Sequence, residues 1–137
     1  MSQPNSRDQC PCSSGRIYGQ CCGPFLSGHA FAPTAPQLMR SRFTAFATGD
    51  VEYLRSTWHP DTRPHDLGLD PAVEWLRLII SDTVRGGPFD TYGEVEFVAM
   101  YREPSPDKPG SYQRGRQHER STFEKVEGRW LYVDGVL

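Results

Sequence analysis

The sequence predicts an α+β protein, with helices first, then an antiparallel meander, and a small cysteine-bearing module in front. Three observations carry this expectation. Apolar residues recur at helical spacing from Met39 to Phe46. They alternate at strand spacing from Val95 to Tyr101. All four cysteines fall within residues 10–22.

Taken in order, residues 1–9 are polar and read as a frayed tail. Residues 10–24, "CPCSSGRIYGQCCGP", form a tight cysteine unit, and 25–33, "FLSGHAFAP", read as a linker of small residues. Thr34 stands three residues before Gln37, with Pro36 in the first turn, which is a capping-box start for a helix. Met39, Phe43 and Phe46 make its apolar stripe, and Gly49 is its stop. Asp50 caps a short second helix over about 51–57, ending near Trp58-His59-Pro60. Asp70 and Pro71 are expected to start a third helix. Val73, Leu76 and Ile80 would lie on one side of it, and Trp75 and Ile79 on the next. The stretch "LIISDTVRGGPF" reads either as the end of that helix or as a further strand.

Beyond it the period changes. "TYGEVEFVAMYRE" puts Val95, Phe97, Ala99 and Tyr101 on one strand face. The Pro- and Gly-rich run 104–111 is a hairpin loop. "YQRGRQHERSTFEKV" and "RWLYVDGVL" are two more strands, joined by a turn at Glu127-Gly128.

A chain of 137 residues suits one domain plus a small appendage. At this size about two-thirds of the unfolded surface can be buried, enough for a real core. The net charge of −2 argues against nucleic acid, which demands a basic domain or patch. Residues 1–49 carry +3 and the remainder −5, an imbalance an ordinary solvated surface accounts for. No apolar run approaches the roughly 18 residues of a membrane span. The start carries no apolar signal segment. The expected compartment is the cytoplasm, where thiols stay reduced.

The cysteines are spaced C-x-C-x8-C-C. Four thiolates suit a tetrahedral zinc ion, and a segment this short needs a metal to fold. Disulfides and a redox-active pair are the alternatives. A reducing compartment weighs against the first, and the lack of a C-x-x-C in a βαβ context weighs against the second. A site with four protein ligands leaves no open position for a catalytic water, so such an ion is structural.

Through Cys10, Pro11, Cys12, Ser14, Gly15, Tyr18, Cys21, Cys22 and Gly23 the segment resembles the SEC-C motif found at the C-terminus of the SecA translocation ATPase and in many other bacterial proteins. The resemblance implies zinc on Cys10, Cys12, Cys21 and Cys22. Ser13 departs from the usual glycine, and Gly19 and Gln20 depart from the lysine-rich positions of SecA. Further on, "PTAPQLMRSRFTAFATGDVEYLRSTWHPDTRP", "GEVEFVAMYR" and "HERSTFEKVEGRWLYVDG" resemble the YchJ-like family of bacterial proteins, for which no activity is settled. That resemblance implies a SEC-C module (1–24), the linker (25–33), and a domain similar to nuclear transport factor two (34–137). Such a domain is a cone of about three helices on a curved antiparallel sheet. Cones of this kind often pair through the sheet, so the resemblance also implies a possible homodimer.

Outside the cysteines, the sequence singles out Arg42, His59 and Glu119. If Phe123 points inward on its strand, so does Glu119, and an inward carboxylate must be paired or neutral. Arg42 is its expected partner, with Arg40 as the alternative. His59, at an element end, reads as a packed or capping residue. Asp82, Tyr53, Tyr101 and Tyr132 could serve a pocket, but no spacing selects a catalytic set. His29 and His65 fall in loops, and Trp58, Trp75 and Trp130 are expected in the core. The expected role is that of a binding or adaptor protein, with the zinc module contacting a protein partner. The alternative is a small-molecule-binding protein or enzyme working in the pocket of the cone.

Overall fold

The computed structural model describes residues 3–136. Its elements run α1 (Gly23–Leu26), α2 (Ala35–Thr48), α3 (Val51–Ser56), β1 (Glu74–Arg85), β2 (Tyr92–Pro104), β3 (Tyr112–Val126) and β4 (Arg129–Val136). The four strands form one antiparallel sheet in the order β1-β2-β3-β4. The α+β class is as expected.

Local chemistry sets the helix boundaries. Thr34 Oγ1 accepts from the Gln37 N–H at 3.2 Å and donates to Gln37 Oε1 at 2.9 Å, closing the capping box. Gly49 ends α2 at φ 78, the left-handed position that glycine occupies without a Cβ clash. Asp50 Oδ1 accepts from the Tyr53 N–H at 3.0 Å and starts α3. The Glu127-Gly128 turn has φ 52 and 80, both left-handed, as a tight two-residue hairpin requires.

One element differs from expectation. The third helix expected after Asp70 and Pro71 is a strand, β1. The pairing explains the misleading pattern. Trp75 pairs with Tyr101 and Arg77 with Met100, so Leu76 is an extra residue. Ser81 is extra in the same way between Ile80 and Asp82. These β-bulges break the two-residue alternation. Trp75, Leu78 and Ile80 therefore share the inner face at spacings of three and two, which hides the strand period, while Leu76 and Ile79 of the expected apolar sides are exposed. The third helix of the molecule is instead the short α1, directly after the cysteines.

The core lies between α2 and the inner sheet face. Leu38, Met39 and Phe43 meet Leu78, Val95, Phe97, Ala99 and Phe123. Phe123 is fully buried, worth about 1.5–3 kcal/mol relative to exposure. Cys10, Cys12, Tyr18 and Cys22 belong to the same contiguous cluster. The 25–33 stretch packs too. Phe25 and Leu26 lie against the core, and Pro33 O accepts from Trp130 Nε1 at 3.1 Å. Trp130 is buried, while Trp58 and Trp75 are half-buried. Among the described residues, no helix is long and apolar enough to cross a membrane.

Candidate functional site

Two features of the fold can do chemistry, and both are built on α2. The first is the cysteine cluster. Pro11 separates Cys10 from Cys12, and the chain then reverses through Ser13 and Gly15 at φ 68 and 85. A bridge between Gln9 and Ile17 closes the reversal, and a 3-10 turn over Tyr18–Gln20 delivers Cys21 and Cys22. The four sulfurs lie within 4.8 Å of one another. Cys12 and Cys21 are 3.5 Å apart, and Cys21 and Cys22 3.9 Å. A tetrahedron of thiolates at 2.3 Å from zinc has edges of about 3.8 Å. All four cysteines are free thiols, so the cluster could hold a metal ion.

The electrostatics point the same way. Hydrogen bonds from Cys10 and Cys22 hold Cys12 far below the ordinary thiol range. The bond to Cys12 pushes Cys10 up to about 11. Cys10 and Cys12, with burial, push Cys22 up strongly. Crowded, buried thiols resist losing several protons together, and a bound cation would offset the resulting charge. The surrounding contacts hold the four cysteines in place. Ser14 Oγ lies 3.2 Å from Cys21 Sγ, and Thr44 Oγ1 lies 3.7 Å from Cys10 Sγ. Arg40 Nη1 donates to Cys12 O at 2.9 Å. Ser13 Oγ accepts from the Leu78 N–H at 3.2 Å, which ties the loop to β1. The serine that replaces the motif's glycine thus takes a left-handed conformation and anchors the module to the sheet.

The second feature is a cavity of about 240 Å³ between α2 and the sheet. Met39, Arg42, Phe43 and Phe46 line it from α2, at helical spacings of three and four. Trp75, Phe97 and Ala99 line it from β1 and β2. Gln117, Glu119 and Ser121 come from β3, Tyr132 from β4, and Trp58 from the turn after α3. Arg42 is 2% exposed. Its Nη1 donates to Leu54 O at 3.0 Å and to Thr57 Oγ1 at 2.7 Å. Its guanidinium carbon lies 4.9 Å from the Trp58 ring centre and 4.6 Å from that of Tyr132. Burial pushes the guanidinium down to about 10, so it remains charged at neutral pH.

Glu119 does turn inward, as the strand alternation predicts, but it does not pair with Arg42. Among the described residues, neither Arg42 nor Arg40 forms an ion pair within 4.0 Å of any carboxylate. Glu119 instead accepts from Gln117 Nε2 at 2.6 Å, from Tyr132 Oη at 3.3 Å and from Ser121 Oγ at 3.4 Å. Burial, then the nearby Glu119 charge, push the Tyr132 hydroxyl up to about 12. Arg42 from α2 and Glu119 from β3 line one cavity, and Tyr132 touches both, its ring against the guanidinium and its hydroxyl on the carboxylate.

His59 lies in the turn after α3, outside the cavity lining. Its N–H donates to Tyr132 O at 2.8 Å, and its Nδ1 accepts from the Asp61 N–H at 3.1 Å. Asp82 is on the outer sheet face, bonded to Arg120 at 2.6 Å. Tyr53 is bonded to Ser41 Oγ at 2.6 Å. His29 and His65 are exposed. Gln117 was readable from the alternation that placed Glu119, two residues along the same face. Thr44 and Ser13 carried no signal, since their contacts join residues distant in sequence.

A four-cysteine SEC-C cluster packed against an α+β cone defines a class of protein, the nuclear-transport-factor-two-like domain with an N-terminal SEC-C motif. The SEC-C motif matches residues 7–24, and the family described as "YchJ, middle NTF2-like domain" matches residues 34–135. The chain belongs to this YchJ family, whose curated relatives are named UPF0225 proteins. A UPF0225 protein of Corynebacterium glutamicum is 50% identical over 93% of this chain and 95% of its own. One from Streptomyces coelicolor is 50% identical over 92% and 93%. The solution structure of a SEC-C motif containing protein from Rhodopseudomonas palustris aligns with a TM-score of 0.75. It shares 32% identity and covers 93% of this chain and 96% of that one. The crystal structure of a SEC-C motif containing protein from Psychrobacter arcticus gives a TM-score of 0.72 at 26% identity, over 94% and 82%.

Proposed function

We propose that this protein is a zinc-braced binding protein in which the metal supports the fold and the cavity of the cone receives a small molecule. The metal half of this reading rests on four thiols at tetrahedral spacing. With all four positions taken by cysteine, the ion is structural and supplies folding energy. Its thiols suit a reducing compartment, the cytoplasm.

The observation that carries the cavity half is Arg42, a buried cation without a carboxylate partner among the described residues, lining an open, largely apolar space. Concave apolar sites with a few convergent polar groups are where small ligands bind. The test is a thermal-shift screen of the zinc-loaded protein against a metabolite library, run beside Ala99→Leu, which fills the cavity. Compounds that raise the melting temperature of the parent and not of the filled variant support the reading. A screen whose only hits act equally on both proteins overturns it.

A protein contact through the module is a second reading, favoured by a groove beside Cys21. Ser14, Arg16, Gln20, Phe25 and Arg40 line it, giving a cationic rim next to the metal ligands. A pull-down with the parent and an Arg16→Glu variant tests it. Identical sets of captured proteins would contradict a partner at this groove.

A further inference from the structure

We infer that the cavity takes a small organic anion with an apolar body, its carboxylate or other oxyanion bonded to Arg42. This rests on the small-molecule reading above and goes beyond it by naming the chemical class. The argument starts from the unused capacity of Arg42. A guanidinium offers five N–H donors in one plane. Here Nη1 is satisfied by Leu54 O and Thr57 Oγ1, while Nε and Nη2 donate to nothing among the described residues. The rings of Trp58 and Tyr132 meet the cation without using those donors. A charge this deeply buried is costly unless an opposite charge or further hydrogen bonds compensate it. The side chain lines the cavity, so the space beside it is where the missing anion fits. Planar, forked donors match a carboxylate or an oxyanion.

Glu119 cannot fill that role. It lies beyond ion-pair distance, and its oxygens already accept from Gln117, Ser121 and Tyr132. It sets polarity instead. A ligand must turn its anionic end to Arg42 and present an apolar or hydrogen-bond-donating part to Glu119. Phe43, Trp75 and Phe97 provide apolar wall for the body. At about 240 Å³ the space falls below the roughly 300 Å³ where pockets for drug-sized ligands begin, so the ligand is small. The Trp58 ring lines the cavity beside Arg42, and its indole Nε1 is buried with no partner among the described residues, so its resonance reports on what enters.

Three probes with one body separate the possibilities. The zinc-loaded full chain is titrated with phenylacetate, phenylacetamide and phenethylamine, by calorimetry and by the indole N–H resonances. Phenylacetate should bind at least about tenfold tighter than the other two, the scale of a hydrogen bond to a charged group. The Trp58 indole signal should move, while that of Trp130, held by Pro33 O, should stay. Arg42→Met should erase the preference for acid over amide, and Glu119→Gln should raise phenylacetate affinity by about twofold through lost repulsion. The ranking on the parent protein decides the matter even if Arg42→Met misfolds. Amide binding as tightly as acid overturns the anionic class while leaving the small-molecule reading intact. Failure of all three probes also overturns it, and the metabolite screen then decides the broader reading.

Discussion

Two arginines, two residues apart on α2, serve opposite regions of the molecule. Arg40 donates to Cys12 O and helps seat a cluster in which sulfurs, Ser14 and Thr44 satisfy one another. Arg42 reaches the cavity, where its charge finds aromatic rings and two oxygen acceptors but no carboxylate. In the first region polar groups close on themselves around four thiols that could hold a cation. In the second they are left open toward a space. Closed polar networks rigidify a fold, whereas unpaired buried charge marks recognition. The difference teaches that α2 braces the cysteine module on one side and presents a cation without a carboxylate partner to the cavity on the other.

The largest effect should come from opening the closed region. Cys22→Ser, or chelation, should release the metal and cost at least about 4 kcal/mol, because the cysteines share the main core. Chemical denaturation with elemental analysis checks it, and a variant without metal but with parent stability would show the module to be dispensable. Next is Gly135→Ala. A Cβ there would land on the Glu119 carboxylate, so the substitution should displace Glu119 and cost about 1–3 kcal/mol. Unchanged stability and an unmoved Glu119 in a crystal structure would contradict the tight seating of that wall.

Arg42→Met should change stability by less than about 1 kcal/mol, since removing a buried charge offsets the lost hydrogen bonds. A loss approaching that of Cys22→Ser would make Arg42 a structural clamp and erase the contrast between the regions. The smallest effect lies on the outer sheet face. Arg120 lowers the Asp82 carboxyl, while His118 and then Arg120 lower that of Glu96. Folded values below the unfolded ones give stability that is present above the ordinary carboxylate range, near 4, and is lost as pH falls through the lowered values. Arg120→Leu should therefore be slightly less stable than the parent at neutral pH and indistinguishable from it in strong acid. Melting temperatures across pH check this, and a difference that widens in acid would contradict the sign.

Much of this was legible in the sequence where the signal is local. Thr34, Gln37, Gly49 and Asp50 fix α2 and α3 through contacts within a turn, and the strand alternation turns Glu119 inward. The four cysteines announce their own cluster by spacing. β1 was hidden because bulges at Leu76 and Ser81 shift its inward residues off alternation. The partner of Glu119 was hidden for another reason. Charge complementarity favoured Arg42, but the neighbouring Gln117, Ser121 and Tyr132 reach it first. The tie between Ser13 and Leu78 joins positions 65 residues apart, beyond any local pattern.

The division of labour between the two regions is exposed by mapping backbone amide shifts while phenylacetate is added to the zinc-loaded protein. Shifts should concentrate at Arg42, Trp58, Phe97, Glu119 and Tyr132, and leave residues 10–22 unmoved. Shifts confined to Cys10–Cys22, with the cavity silent, would place recognition at the metal module and contradict the assignment of binding to the cone.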